Sequence, residues 1–290
     1  MIGLLSTSEV AHLLGIDEST VKRWSDSGDL ECIRTKGRHR RFAVSAILQF
    51  VQKNSLQVPE TAAAMFRNPE LTARLVVGDS SSLIWELRKA LLEGDTDRAL
   101  EAFRVGLASG HDLVGFFSNI LYPVLSQLDT GQTIGKIALH EFRLAEKTTR
   151  TVLARIQNDI AVDGQERRVA VAACYENEPW EIDLDCVYLL LRARGWKVFH
   201  HGADVGVEQL VSALEARGAH LVLLSARVVE DGWKFQNDVS AILVPAVKRI
   251  GAALALVGPN LARRFGRKLS VDFIGETADH LTGFLDKLRD

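Results

Sequence analysis

The hydrophobic period changes from helical to strand spacing near Arg167, and that change restricts the folds open to this chain. From Ser82 to Gln157 apolar residues recur at helical spacing: Leu83, Ile84, Leu87 and Leu91, then Ala99, Ala102, Phe103 and Leu107, then Leu113, Phe116, Ile120, Leu121 and Leu125, then the run from Ile137 to Ile156. The separators, Glu93-Gly94-Asp95 and Ser109-Gly110-His111-Asp112, are short and polar, with Asp112 a good helix cap. Such spacing predicts antiparallel neighbours in a four-helix bundle over 82–158. Beyond Arg167 the apolar runs shorten to strand length at 169–173, 197–199, 221–224, 253–257 and 271–274, with helical stretches at 183–194, 207–217, 239–250 and 278–288. Strands alternating with helices predict a doubly wound parallel α/β sheet over 166–290, with its site at the strands' carboxyl ends.

The amino-terminal segment, 1–54, follows a third pattern. Ser6 or Thr7 with Glu9 marks a helix start, and Val10, Leu13 and Leu14 share one face of that helix. Gly15-Ile16 makes a tight turn, Asp17 is expected to cap again, and a second helix buries Val21 and Trp24. Ser19, Thr20, Lys22 and Arg23 are left on its outer face. Next, Arg34, Lys36, Arg38, His39, Arg40 and Arg41 surround a single glycine, the build of a wing that lays guanidinium groups along phosphate oxygens. A third helix, Ala43 to Gln52, closes this domain around Ile47, Phe50 and Val51. Residues 55–81 lose periodicity and contain Pro59 and Pro69, so they read as a linker with one short helix at most.

Composition narrows the classes. Among 290 residues, 35 basic and 37 acidic side chains leave a net charge of −2, so any affinity for polyanions must be local. No acidic residue interrupts Ile33 to Gln57. Cys32, Cys174 and Cys186 are scattered and odd in number, which argues against a disulfide scaffold and a cysteine zinc site and suits a reducing cytoplasm. No apolar stretch reaches membrane-spanning length, so no membrane partner is expected.

The first two helices and the wing resemble the helix-turn-helix of the MerR and excisionase families, whose second helix enters the major groove of double-stranded DNA. The order of a MerR-like winged helix-turn-helix, a four-helix bundle and a five-stranded α/β domain resembles the CarH and LitR light-dependent transcriptional regulators across nearly the whole chain. Local phrases carry that resemblance: Leu190-Leu191-Arg192-Ala193-Arg194-Gly195-Trp196-Lys197-Val198, Gly202-Ala203-Asp204-Val205, Leu224-Ser225-Ala226 and Val257-Gly258. It implies a Rossmann-like domain of the cobalamin-binding type, with adenosylcobalamin between bundle and α/β domain and Ser225 and Gly258 against the cofactor's tail.

The residues depart from that family at the cofactor itself. The family's E-x-H-E-I-G pattern, whose histidine ligates cobalt, is matched by Glu178-Pro179-Trp180-Glu181-Ile182-Asp183. Trp180 replaces the ligand, and indole has no lone pair to offer a metal. Asp183 replaces a glycine, and a double glycine reads Gly258-Pro259. The family's W-x9-E-H signature has no counterpart around Leu128 and Gly131; the nearest acid and histidine, His140-Glu141, come in reversed order. These departures argue against cobalamin and leave Trp180 to fill the vacated space by apolar burial. Haem is the second candidate, with His140, His200 or His201 as iron ligand. A partner regulator's side chain, another ligand or none are the remaining occupants.

The expectation is therefore a cytoplasmic, DNA-binding transcriptional regulator, not an enzyme, acting as a homodimer or tetramer. Ser19, Thr20, Lys22 and Arg23 are assigned to the groove, and Arg34, Lys36, Arg38, His39, Arg40 and Arg41 to the phosphates. The pocket residues are Glu178, Trp180, Ser225, Gly258, His140 and His201. A corrinoid-dependent methyltransferase or mutase, which shares the bundle and α/β pair, is the rival, and there the chemistry would reside in the cofactor.

Overall fold

A capping box begins the first helix. Ser6 Oγ accepts the Glu9 N–H at 3.2 Å, and Glu9 Oε2 accepts the Ser6 N–H at 2.5 Å. This computed structural model describes residues 4–35, 37–76, 79–109, 112–160, 168–176, 178 and 180–288, and Lys36 lies outside them. The chain divides into two units, 1–159 and 160–290.

In the first unit, β1 (Leu4–Leu5) precedes α1 (Thr7–Leu14), which ends at Gly15 with φ +65°, and α2 (Glu18–Ser27) follows. Asp17 stands at the N-cap position of α2, but its carboxylate takes no cap hydrogen bond. Strands β2 (Ile33–Arg34) and β3 (Arg40–Ala43) form the wing, and β3 also pairs antiparallel with β1, Leu5 opposite Phe42. Helix α3 (Val44–Asn54) completes a core of Val10, Leu13, Leu14, Val21, Leu30, Phe42, Ile47 and Phe50.

The stretch expected to be a linker is two helices, α4 (Glu60–Arg67) and α5 (Pro69–Val76). Ala62 and Met65 of α4 belong to the core of the head. Ion pairs then fasten α4 to the bundle, Arg67 to Glu101 and Glu60 to Arg104 at 3.2 Å, and Arg104 also reaches Asp159, just past the last bundle helix, at 2.7 Å. The two prolines misled the sequence reading because they stand at helix starts, where a missing N–H leaves no hydrogen bond unmade.

The bundle comprises α6 (Ser80–Glu93), α7 (Thr96–Ala108), a third rod and α10 (Leu139–Ile156). Asp95 accepts the Arg98 N–H at 3.0 Å, and Asp112 accepts the Gly115 N–H at 2.7 Å, so both separators cap the helices that follow. The third rod runs through α8 (Leu113–Phe116), a π-helical turn (Phe117–Leu121) and α9 (Tyr122–Thr133). Pro123 falls in the first turn of α9, and the widened turn before it accommodates a ring that would break a regular helix.

In the second unit, β4 (Arg168–Cys174), α11 (Ile182–Ala193), β5 (Trp196–His200), α12 (Val207–Arg217) and β6 (Leu221–Ser225) lead to α13 (Gly232–Asn237). A second π-helical turn (Asp238–Leu243) leads into α14 (Val244–Ile250), again just before a proline, Pro245. Then come β7 (Ala253–Val257), α15 (Leu261–Phe265), β8 (Phe273–Gly275), a 3-10 turn (Ala278–Leu281) and α16 (Thr282–Lys287). The last strand begins two residues later than its sequence suggested.

All five strands are parallel, in the order β5-β4-β6-β7-β8. The order reverses between β4 and β6, whose last residues, Cys174 and Ser225, are register partners. That reversal is the switch point where open α/β sheets bind ligands.

Candidate functional site

Two places carry the polar residues singled out by sequence: the outer face of the head and the switch-point crevice of the sheet.

On the head, packing of Val21 inward and of Trp24 against Phe50, with ring centroids 4.7 Å apart, turns Ser19, Lys22 and Arg23 to solvent; Thr20 is half-buried. Lys22 Nζ lies 3.0 Å from Glu18 Oε2, one turn back. The wing turn is closed by Thr35 N–H donating to His39 O at 3.0 Å and Arg38 N–H donating to Thr35 O at 2.8 Å. Arg38 takes the left-handed conformation (φ 61°), although Gly37 is its neighbour.

The wing arginines part into two groups. Arg40 Nη2 reaches both oxygens of Asp26 at 2.6 and 2.8 Å, and Arg34 Nη2 reaches one at 2.9 Å. The Arg40 hydrogen bond, more than any other influence, holds the Asp26 carboxyl below its ordinary range. Arg40 and Arg34, assigned to phosphate by sequence, are thus turned on a carboxylate of α2. No acid interrupts 33–57, and the acid that matters, seven residues upstream of that stretch, is brought to it by the fold. Arg41 donates to the Arg40 carbonyl at 2.9 Å. Arg23 and Arg38 are exposed and have no ion pair among the described residues.

In the crevice, Glu178 is buried to 1% exposure, and its carboxylate is engaged on both oxygens. Oε1 accepts the Trp180 N–H at 2.9 Å; Oε2 accepts the N–H groups of Arg227 and Val228 at 2.7 and 2.8 Å. The loop after β4 and the loop after β6, which diverge at the switch point, are therefore held together by one carboxylate. Trp180 is 6% exposed beneath the Arg227 guanidinium, which lies 4.7 Å from the ring centroid. The sequence reading missed Arg227 because its partner lies 49 residues away.

Ser225 Oγ, on the crevice floor, is buried without a hydrogen-bond partner among the described residues. Cys174 beside it is a buried thiol whose pKa is pushed up by desolvation and then by the surrounding carboxylates. Gly258 has a structural reason to be glycine, since a Cβ there would lie 1.9 Å from the Ala226 carbonyl oxygen. A further network stands at the mouth: Tyr175 OH donates to Asp238 Oδ2 at 2.7 Å, and Lys234 bridges Asp238 at 3.1 Å and Glu176.

The histidines do not gather. His200 Nε2 is 3.0 Å from Asp185 Oδ1 and is held on α11; His201 is exposed, with its imidazole pKa lowered by desolvation, Arg217 and His200. His140 is exposed near the start of α10. Among the described residues no group of three or more His, Cys, Asp or Glu is placed to hold a metal ion.

Comparison with known proteins separates the chain in the same way. Residues 4–55 match the family described as a helix-turn-helix domain. A corrinoid protein of Desulfitobacterium hafniense is 22% identical over 211 residues, covering 71% of this chain and 97% of the relative. The methanol–corrinoid protein of Methanosarcina barkeri is 20% identical over 166 residues, 57% of this chain and 64% of the relative. The structure of the monomethylamine corrinoid protein of Methanosarcina barkeri superposes with a TM-score of 0.59 at 15% identity, covering 72% of this chain and 99% of that one. The chain joins an amino-terminal helix-turn-helix domain to a region with the fold of a corrinoid protein.

Proposed function

We propose that this chain is a DNA-binding transcriptional regulator of the MerR and CarH type, whose corrinoid-like region senses a signal without a histidine-ligated cobalamin. The observation that carries the reading is the exposed strip of Ser19, Lys22 and Arg23 on α2, beside a wing whose Arg38 has no ion pair among the described residues. A helix of this kind reads base edges while the wing contacts phosphates. A dimer or tetramer would read two half-sites, so a palindromic site is expected. Selection of bound sequences from a random duplex pool tests this. Arg23→Ala should change the selected sequence, since an arginine–base pair discriminates by ~1–3 kcal/mol; an unaltered profile would count against the assignment.

The relatives named corrinoid proteins raise cobalamin directly, and the residues do not fit a corrinoid ligated from the protein. Trp180 offers no donor atom, and the Glu178 carboxylate two residues before it is taken by three backbone N–H groups. The buried hydroxyl of Ser225 favours a different ligand at the crevice floor. Haem remains a second reading through His201, whose exposed imidazole has its pKa lowered by desolvation and by Arg217 and His200, a direction that favours the neutral, ligating form. An absorption spectrum after incubation with adenosylcobalamin or haem in the dark, followed by desalting, separates these. Retained corrin bands would overturn the exclusion, a Soret band would establish haem, and bare protein would leave a colourless ligand or a partner regulator as the signal.

A further inference from the structure

We infer that the α/β unit carries a second phosphate-binding surface, formed by Arg263, Arg267 and Lys268, that contacts the DNA backbone outside the site read by the head. The inference rests on the DNA-binding reading above and adds a surface to it.

Between β7 and β8 the chain reads Gly258-Pro259-Asn260-Leu261-Ala262-Arg263-Arg264-Phe265-Gly266-Arg267-Lys268-Leu269-Ser270-Val271, with no acidic residue. Leu261, Phe265 and Leu269 are buried at a spacing of four, with exposures of 1, 3 and 7%. Helical turns continue past α15, with Gly266 N–H donating to Ala262 O at 2.9 Å and Leu269 N–H to Phe265 O at 3.0 Å. The intervening residues therefore face outward, and Arg263, Arg264, Arg267 and Lys268 are all exposed. Arg263 and Arg267 lie one turn apart, as do Arg264 and Lys268, a rise of about 5–6 Å.

One of the four is anchored: Arg264 donates from both Nη atoms to the Val229 carbonyl at 3.2 Å. Arg263, Arg267 and Lys268 have no ion pair among the described residues. Exposed Arg249 and Lys234 of this unit are paired, with Glu215 and Glu176; Lys197, Arg217, Lys248 and Lys287 have no ion pair among the described residues either, but each stands on a different element, whereas these three share one turn. Unpaired like charges on a rigid, core-anchored turn repel one another, and an anion relieves that repulsion at little cost in ordering the backbone. Trp233 stands beside this turn and is 78% exposed, and a Cβ at its neighbour Gly232 would lie 3.3 Å from Arg264 Nη2. A polyphosphate backbone suits such a surface because it needs only a row of cations, without the apolar pocket that anchors a protein partner.

The test uses the full chain and its selected sequence on two duplexes, one long and one trimmed to the footprint of the head. The triple variant R263A/R267A/K268A should bind the trimmed duplex as wild type does. On the long duplex it should lose affinity severalfold, with the slope of log K against log salt falling by about 3, near one for each phosphate released. R263E/R267E/K268E should enlarge the loss on the long duplex alone, which distinguishes charge from misfolding. Equal affinity and slope for wild type and the alanine variant on the long duplex would overturn the second surface, as would equal losses on both duplexes. A wild-type chain that selects no sequence would instead sink the reading on which it rests.

Discussion

The head and the sheet's switch point both concentrate polar side chains, but they direct them oppositely. On α2 and at the tip of the wing, Lys22, Arg23 and Arg38 point into solvent, and the core beneath is apolar. At the switch point Glu178, Trp180 and Ser225 are all buried, and the Glu178 carboxylate is taken up by backbone N–H groups. An outward charge can be lent to a partner without disturbing the fold, whereas the Glu178 carboxylate is committed to the fold and leaves the Ser225 hydroxyl, unpartnered among the described residues, to meet a ligand. Arg34 and Arg40 are the exceptions within the head, because Asp26 turns two expected phosphate contacts into a tie between helix and wing.

That contrast can be broken most forcefully at Glu178. Glu178→Ala leaves three backbone N–H groups without their acceptor, and a loss of about 3 kcal/mol or more is expected in denaturant unfolding of the α/β unit. A change within error would show that the loops do not depend on the carboxylate. Met65→Ala should cost ~2–4 kcal/mol and lower the unfolding midpoint of the head, because α4 belongs to the head's core. Loss confined to the bundle, with the head unfolding as before, would restore the view of 55–81 as a linker. Gly258→Ala forces a Cβ against the Ala226 carbonyl and should cost ~1–3 kcal/mol, read in the same unfolding experiment.

The smallest stability effect is expected at Asp26, which is exposed, and its readout is DNA binding. Asp26→Asn releases Arg34 and Arg40, so the salt slope of nonspecific binding should steepen by up to about 2 while sequence preference weakens. An unchanged slope would mean that the two arginines already serve phosphates. The folded-state pKa of Asp26 is lowered, so the clamp is present above the ordinary carboxylate range and is lost only as pH falls through that depressed value. Nonspecific affinity measured between pH 5 and 8 should therefore carry no contribution from Asp26 titration.

Much of the architecture was legible because it depends on local periodicity. The capping box at Ser6 and Glu9, the four rods of the bundle and the order of strands and helices from Arg168 onward all follow from spacing that neighbouring residues share. The π-helical turns before Pro123 and Pro245 were not read, although a proline one turn inside an apolar helical pattern is a usable signal for them. The helices at 60–67 and 69–76 are hidden for the converse reason, since a proline that opens a helix looks, in sequence alone, like one that breaks it.

At the sites, residue chemistry alone decided that Trp180 cannot ligate a metal and that no acid lies within 33–57. Whether each charge is free depended on tertiary structure, because pairing joins residues far apart in the chain. Asp26 meets Arg40 across 14 positions, Glu178 meets Arg227 across 49, and Tyr175 meets Asp238 across 63. Periodicity governs which face of an element is buried, and so it can be read along a line. A carboxylate's partner is set by how the elements are folded against one another, and only the folded chain brings Asp26 to the wing and Glu178 to the two loops it holds.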